Sequence, residues 1–98
     1  NLPPGLKILD CRENKLTLLE NLPDGLLELY CGYNEITNLD NLPPTLTTLY
    51  CYGNQITSLD NLPLTLTELI CYNNQLKYDF EPTIENIRNY NASRNISS

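Results

Sequence analysis

The four cysteines of this 98-residue chain are spaced by twenty residues, and this period constrains the fold more than any other feature. The cysteines are Cys11, Cys31, Cys51 and Cys71. Each is preceded by leucines two and five positions earlier and followed by an asparagine three positions later. Self-similarity at a fixed period of this length is typical of stacked repeats. The spacing predicts four repeats, at residues 1–20, 21–40, 41–60 and 61–79.

Each repeat contains one segment with the pattern of a short strand. In Glu28-Leu29-Tyr30-Cys31 the apolar residues alternate with others, as in a half-buried strand. The Asn-Leu-Pro segment that opens each repeat favours an extended or polyproline conformation, since proline cannot donate to a ladder. Twenty residues leave little room for a helix. We therefore predict a solenoid with a curved parallel β-sheet on its concave side and extended, polyproline-like segments on its convex side.

The repeat consensus resembles a known family. It reads N-L-P-x-x-L-x-x-L-x-C-x-x-N-x-[LI]-T-x-L-[DE], and this resembles the leucine-rich repeat family over residues 1–76, with a degenerate extension to about residue 90. The short repeat is similar to those of secreted bacterial effectors. Its cysteine-rich and asparagine-rich character resembles repeat proteins of giant DNA viruses and protists. The resemblance implies a scaffold that binds macromolecules, and it leaves open an enzyme whose catalytic part lies outside these residues.

The two ends of the array depart from the pattern. Residues 80–91 align with the preceding strand region after a shorter linker, with Asn89 at the cysteine position. We predict a degenerate terminal strand there that completes an array over residues 1–91, followed by a flexible tail at 92–98. No equivalent cap precedes Asn1, so the edge strand near Leu9 is open to pairing and to self-association. The start in register with a repeat, without an initiator methionine, suggests a fragment or a processed form.

The chain is acidic, with 6 Lys and Arg against 12 Asp and Glu. No Lys or Arg occurs between Lys15 and Lys77. Such a surface repels phosphate backbones, which argues against nucleic-acid binding and favours a protein partner with a basic or neutral surface. The alternative is that the acidic residues only keep the module soluble. No apolar run is long enough to span a bilayer, so we expect no membrane contact.

The outward positions of the predicted strands carry a concentration of tyrosines. The candidate partner-binding residues are Tyr30, Tyr33, Tyr50, Tyr52, Ile70 and Tyr72, flanked by Glu28 and Glu68. Exposed tyrosines are enriched in binding hot spots, and apolar patches mark contact surfaces. The alternative is a lateral tyrosine ladder, which stabilises a sheet by roughly 0.2–1 kcal/mol per pair. This pattern favours a protein-binding module. A structural component that packs end to end, or onto a larger particle such as a virion, is the second hypothesis.

The cysteine ladder indicates a structural role. Thiols in a line do not converge on a metal ion, and the chain has no histidine to complete a zinc site or activate a nucleophile. We therefore expect no catalytic residue and no cofactor. Four unpaired thiols favour a reducing intracellular compartment, which would be the host cytoplasm for a viral protein.

Overall fold

The computed structural model describes residues 2–95, which form a four-stranded parallel sheet followed by one helix. The strands are β1 (Ile8–Asp10), β2 (Glu28–Tyr30), β3 (Thr48–Tyr50) and β4 (Glu68–Ile70), in the spatial order β1-β2-β3-β4. The helix α1 spans Ile84–Asn95. Each strand residue pairs with the residue twenty positions further on, so Leu9 lies beside Leu29. The predicted parallel solenoid is confirmed, and it measures 39 × 24 × 21 Å.

The core of the solenoid consists of the repeated aliphatic and cysteine positions. The buried set is Leu26, Leu29, Cys31, Ile36, Leu39, Leu46, Leu49, Cys51, Ile56, Leu59, Leu66, Cys71 and Ile87. Side chains alternate across a strand, so the strand leucine points inward and both of its neighbours face the concave side. Full burial of one leucine contributes roughly 1.5–3 kcal/mol relative to an exposed one.

A ladder of asparagines joins one coil to the next. The Asn34 Nδ2 group donates to the carbonyl oxygens of Cys11 and Cys31, each at 3.0 Å. The Asn34 Oδ1 atom accepts from the backbone N–H of Leu16 at 3.0 Å. Asn54 and Asn74 repeat this arrangement in the following coils. The ladder thus satisfies backbone groups that turn away from the sheet, as buried polar groups require.

The C-terminal cap differs from the prediction. The expected terminal strand at 80–91 is wrong, because α1 starts at Ile84. The Thr83 hydroxyl accepts from the Asn86 N–H at 3.1 Å and caps the helix. Helical spacing turns Ile87 into the core with no exposed surface, whereas the polar Asn89 stays exposed. A strand would have placed Asn89 at the inward cysteine position.

Side-chain bonds hold α1 against the last full repeat. The Arg88 guanidinium donates to the Pro63 carbonyl oxygen at 2.7 Å, and the Asn91 amide donates to the Leu59 carbonyl oxygen at 3.0 Å. Residues 92–95 of the predicted flexible tail belong to α1, and residues 96–98 lie outside the described part of the chain. Within residues 2–95, no helix has the length and apolar character needed to cross a membrane.

Candidate protein-binding face

The concave side of the sheet brings the predicted tyrosines together in two groups. The central pair is Tyr30 and Tyr50, whose ring centroids lie 5.0 Å apart in a T-shaped arrangement. The edge row is Tyr33, Tyr52 and Tyr72, with centroid distances of 5.2 and 5.1 Å along the row. Ile70 continues the column of the central pair, because it pairs in register with Tyr50. The face therefore presents a continuous aromatic and aliphatic surface across β2, β3 and β4.

Hydrogen bonds to two glutamates fix the central pair. The Tyr30 hydroxyl donates to the Glu28 carboxylate, and the Tyr50 hydroxyl donates to the Glu68 carboxylate on the neighbouring strand. The bond to Glu28 raises the pKa of Tyr30 to about 12, and the bond to Glu68 raises the pKa of Tyr50. The sequence predicted both glutamates as groups that flank the tyrosines and could pair with basic residues of a partner. Each has one oxygen engaged by a phenol, which holds the carboxylate in place.

Two glycines provide the space in which the edge row lies. A Cβ atom on Gly32 would lie 2.4 Å from Cε1 of Tyr52, and one on Gly53 would lie 2.5 Å from Cδ1 of Tyr33. Repeat two has Gly32-Tyr33 where repeat three has Tyr52-Gly53. The Tyr52 ring therefore lies over Gly32, and the Tyr33 ring lies over Gly53. The backbone of Tyr33 adopts a positive φ of 57° at this turn. The rings are thus held by the backbone as well as by each other.

The rings are packed and exposed at once. Tyr33 and Tyr72 have 50% and 55% of their surface accessible, whereas Tyr30, Tyr50 and Tyr52 are half-buried. The lateral ladder and the open surface therefore coexist. At the edge of this face, in the first repeat, Arg12 pairs with Asp10 through two bonds of 2.8 and 2.7 Å.

The cysteine ladder lies on the opposite, inward side of the sheet. All four thiols are free, and burial raises the pKa of Cys31 to about 12 and that of Cys51 well above its ordinary value. A neutral buried thiol packs as a small hydrophobe and is a poor nucleophile. No group of three or more His, Cys, Asp or Glu side chains within residues 2–95 is arranged to hold a metal ion.

Some members of the face were missed from the sequence. Gly32 and Gly53 were not identified as supports, although the exchange of Gly-Tyr for Tyr-Gly between adjacent repeats was a usable signal. Thr48 lies between Glu28 and Glu68 at the same strand position and belongs to the same surface. The phenol–carboxylate bonds have no sequence signal, since they depend on side-chain rotamers.

Comparison with solved structures finds a similar architecture in a known protein. The structure matches "YopM from Yersinia enterocolitica WA-314", a leucine-rich repeat bacterial effector, with a TM-score of 0.74 and 42% sequence identity. The match covers 78% of this chain and 17% of that one, so the present chain spans about a sixth of the length of the protein it matches. No protein-family model matches the sequence, and a search of curated proteins also finds no match.

The twenty-residue repeat, the parallel sheet and this structural match define a solenoid of stacked coils. The chain belongs to the leucine-rich repeat family, and its repeats are of the short kind that resembles bacterial effectors. Proteins with this fold in general act as scaffolds that bind other proteins.

Proposed function

We propose that this chain is a protein-binding module and that the concave face is its binding site. The observation that carries the proposal is the edge row of tyrosines, in which Tyr33 and Tyr72 expose half of their surface. Glycines lie beneath the rings of Tyr33 and Tyr52, and the Tyr72 ring stacks on that of Tyr52. Tyrosine offers a large contact area with few rotatable bonds. Because the rings are already ordered by their neighbours, little side-chain entropy remains to be lost on binding.

The charge of the surface supports a protein partner with a basic or neutral surface. The concave face carries Glu28 and Glu68, and residues 16–76 contain no Lys or Arg. A nucleic acid would meet net negative charge here, because Arg12, the cation at the edge of the face, is already paired with Asp10. The proposed role is that of a binding scaffold and not of an enzyme.

Partner capture by matched surface variants tests this proposal. The concave variant carries Tyr50→Ser and Tyr72→Ser. The control variant carries Leu64→Ser in the turn before β4, where Leu64 is 91% exposed. Partners captured by the wild type should be lost with the concave variant and retained with the control. Retention by both variants, with folding confirmed by circular dichroism, would overturn the proposal.

A second candidate role is assembly by end-to-end packing, for instance within or on a larger particle. In the first repeat, Ile8 is 53% exposed and Leu18 is 51% exposed. Leu9 and Cys11 are half-buried, whereas their counterparts in the next repeats are fully buried. Because α1 covers the opposite end, copies would have to meet through β1 of each copy and not head to tail. A stable monomer in analytical ultracentrifugation of residues 1–98 would contradict this role.

The free thiols support a proposal on location. Four neutral cysteines, three of them buried in the core, are compatible with a compartment that keeps thiols reduced. We propose an intracellular site, which for a protein of viral origin is the host cytoplasm. Localisation of a tagged chain in a secretory compartment would contradict this.

A further inference from the structure

The spacing of two carboxylates on the concave face carries information about the partner. Glu28 in β2 and Glu68 in β4 occupy the same register position, with Thr48 of β3 between them. Neighbouring strands lie about 4.8 Å apart, so these positions are separated by about 9–10 Å across the strands. A segment that crosses the strands and presents one side chain to each of these positions must match this spacing of the backbone.

Both carboxylates are held in place and carry charge that the chain leaves unneutralised. Each accepts a hydrogen bond from a phenol, and each has a second oxygen with no partner among residues 2–95. The ion pairs within this part of the chain are Arg12–Asp10 and Arg94–Asp60, so neither glutamate is paired. The face is thus preorganised for cationic groups.

Each carboxylate has an aromatic ring beside it, which favours guanidinium over ammonium. Tyr30 lies next to Glu28, and Tyr50 lies next to Glu68. A guanidinium group is planar, donates several N–H groups to carboxylate oxygens and can lie flat on an aromatic ring. An ammonium group supplies the charge but lacks the planar shape.

The distance selects the conformation of a bound segment. A polyproline helix has three residues per turn and rises about 3.1 Å per residue, which places residues i and i+3 on one side about 9.3 Å apart. In a β-strand the residues on one side are i and i+2, only about 6.6–6.8 Å apart. The polyproline spacing matches the separation of the two strand positions that Glu28 and Glu68 occupy.

We infer that the concave face binds a polyproline-like segment with two arginines three residues apart, which lies across the strands and pairs with Glu28 and Glu68. This inference rests on the proposed function and specifies the chemistry of the partner. Binding through such a segment uses few side chains on the partner and depends on salt concentration.

A series of labelled peptides tests the spacing. The peptides contain Arg-Pro-Arg, Arg-Pro-Pro-Arg or Arg-Pro-Pro-Pro-Arg within identical flanks, and binding to the whole chain is followed by fluorescence anisotropy. We expect Arg-Pro-Pro-Arg to bind at least about threefold more tightly than the others, the size of one modest charge pair. Replacing both arginines with lysine should weaken binding by a similar factor. Equal affinity across the series, or equal binding of the lysine peptide, would overturn the inference.

Isosteric variants of the protein assign the effect to the two carboxylates. Glu28→Gln and Glu68→Gln keep a group that accepts the phenol hydrogen bond but remove the charge. The control Glu35→Gln removes the same charge from an exposed position after the turn that follows β2. Each concave variant should lose the preference for Arg-Pro-Pro-Arg, and the control should keep it. A control that loses the preference as fully as Glu68→Gln would contradict the inference.

The two proposals fail in different experiments. Loss of the spacing preference, with partner capture still abolished by Tyr50→Ser and Tyr72→Ser, removes only the arginine inference. Partner capture that survives both tyrosine changes removes the proposed function, whatever the peptides show.

Discussion

At the residue scale, Asn54 shows how one buried side chain ties two coils together. Its amide donates to the carbonyl oxygens of Cys31 and Cys51 at 3.1 and 3.0 Å, and its oxygen accepts from Ile36 N at 3.0 Å. Asn54→Ala leaves the buried Ile36 N–H without its acceptor, at a cost of about 1–3 kcal/mol. It also removes one donor from each carbonyl oxygen, although Asn34 still donates to Cys31 and Asn74 still donates to Cys51. We expect the free energy of unfolding in urea to fall by about 2–4 kcal/mol.

Asn14 provides the matched control for this prediction. Its amide bonds only the Cys11 and Arg12 carbonyl oxygens of its own repeat, and its side chain is exposed. Water can replace those bonds, so Asn14→Ala should cost less than about 1 kcal/mol. If Asn54→Ala and Asn14→Ala lower the free energy of unfolding equally, burial does not determine how much the asparagine ladder stabilises the protein.

The two glycines beneath the edge row give a second prediction at this scale. An alanine at Gly32 or at Gly53 would overlap a tyrosine ring, at a cost of about 1–3 kcal/mol. Gly53 also has a φ of +68°, which disfavours a residue with a Cβ. Adding Tyr52→Ser should therefore rescue Gly32→Ala, whereas adding Tyr33→Ser should only partly rescue Gly53→Ala.

Urea unfolding of single and double variants measures this difference. Gly5→Ala is the control, since nothing lies within 4 Å of its added Cβ and its φ is not positive. It should be neutral or slightly stabilising. If the tyrosine change restores the free energy of unfolding fully in both double variants, backbone strain at Gly53 contributes nothing to the cost of Gly53→Ala.

At the element scale, the column of buried thiols links stability to pH. Burial raises the pKa of Cys31 from 9.0 to about 12 and raises the pKa of Cys51 well above its ordinary value. The unfolded chain therefore releases these protons at a lower pH than the folded chain. The resulting stability is fully present below pH 9 and is lost as pH rises from 9 towards 12.

Urea midpoints at about pH 8 and about pH 10.5, measured under reducing conditions, test this linkage. Cys31→Ala should be less stable than the wild type at the lower pH but lose less stability between the two. Cys11→Ala, at a half-exposed position, should change the pH dependence of the urea midpoint less than Cys31→Ala does. If the urea midpoints of the wild type and Cys31→Ala fall by the same amount between the two pH values, Cys31 is not a source of the stability lost at alkaline pH.

The helix α1 makes a separate contribution as the cover of the last coil. Ile87 has no exposed surface, so Ile87→Ala should cost about 2–5 kcal/mol through lost contacts and the cavity left behind. Ile8→Ala is the matched control, because Ile8 is 53% exposed. Similar losses of thermal stability for the two variants would mean that α1 does not seal the core.

The elements also show what could be predicted from the sequence. A period of twenty residues places equivalent side chains side by side, so the inward Leu29 and Cys31 and the outward Tyr30 followed directly from register. The cap could not be read in this way, because α1 leaves the period and buries Ile87 through helical spacing. The engagement of Glu28 and Glu68 by phenols could not be predicted either, since register fixes Cβ positions and not rotamers.

At the scale of the whole molecule, the two ends of the solenoid differ in how well they are covered. In a solenoid each coil contacts only its neighbours, so an incompletely covered end opens before the middle. The Cys11 N–H donates to the Tyr30 carbonyl oxygen, and the Cys51 N–H makes the equivalent bond to Ile70. Cys11 is half-buried whereas Cys51 has no exposed surface.

Hydrogen exchange measured by NMR on residues 1–98 should reveal this gradient. We expect the Cys51 amide to exchange at least about tenfold more slowly than the Cys11 amide, which corresponds to about 1.4 kcal/mol of extra opening free energy. Ile87→Ala should accelerate exchange of the Gln75 amide, which bonds the Ile56 carbonyl oxygen near the covered end, and leave the Cys11 amide unchanged. Uniform protection in the wild type, and uniform acceleration in the variant, would instead show that the coils open as one cooperative unit.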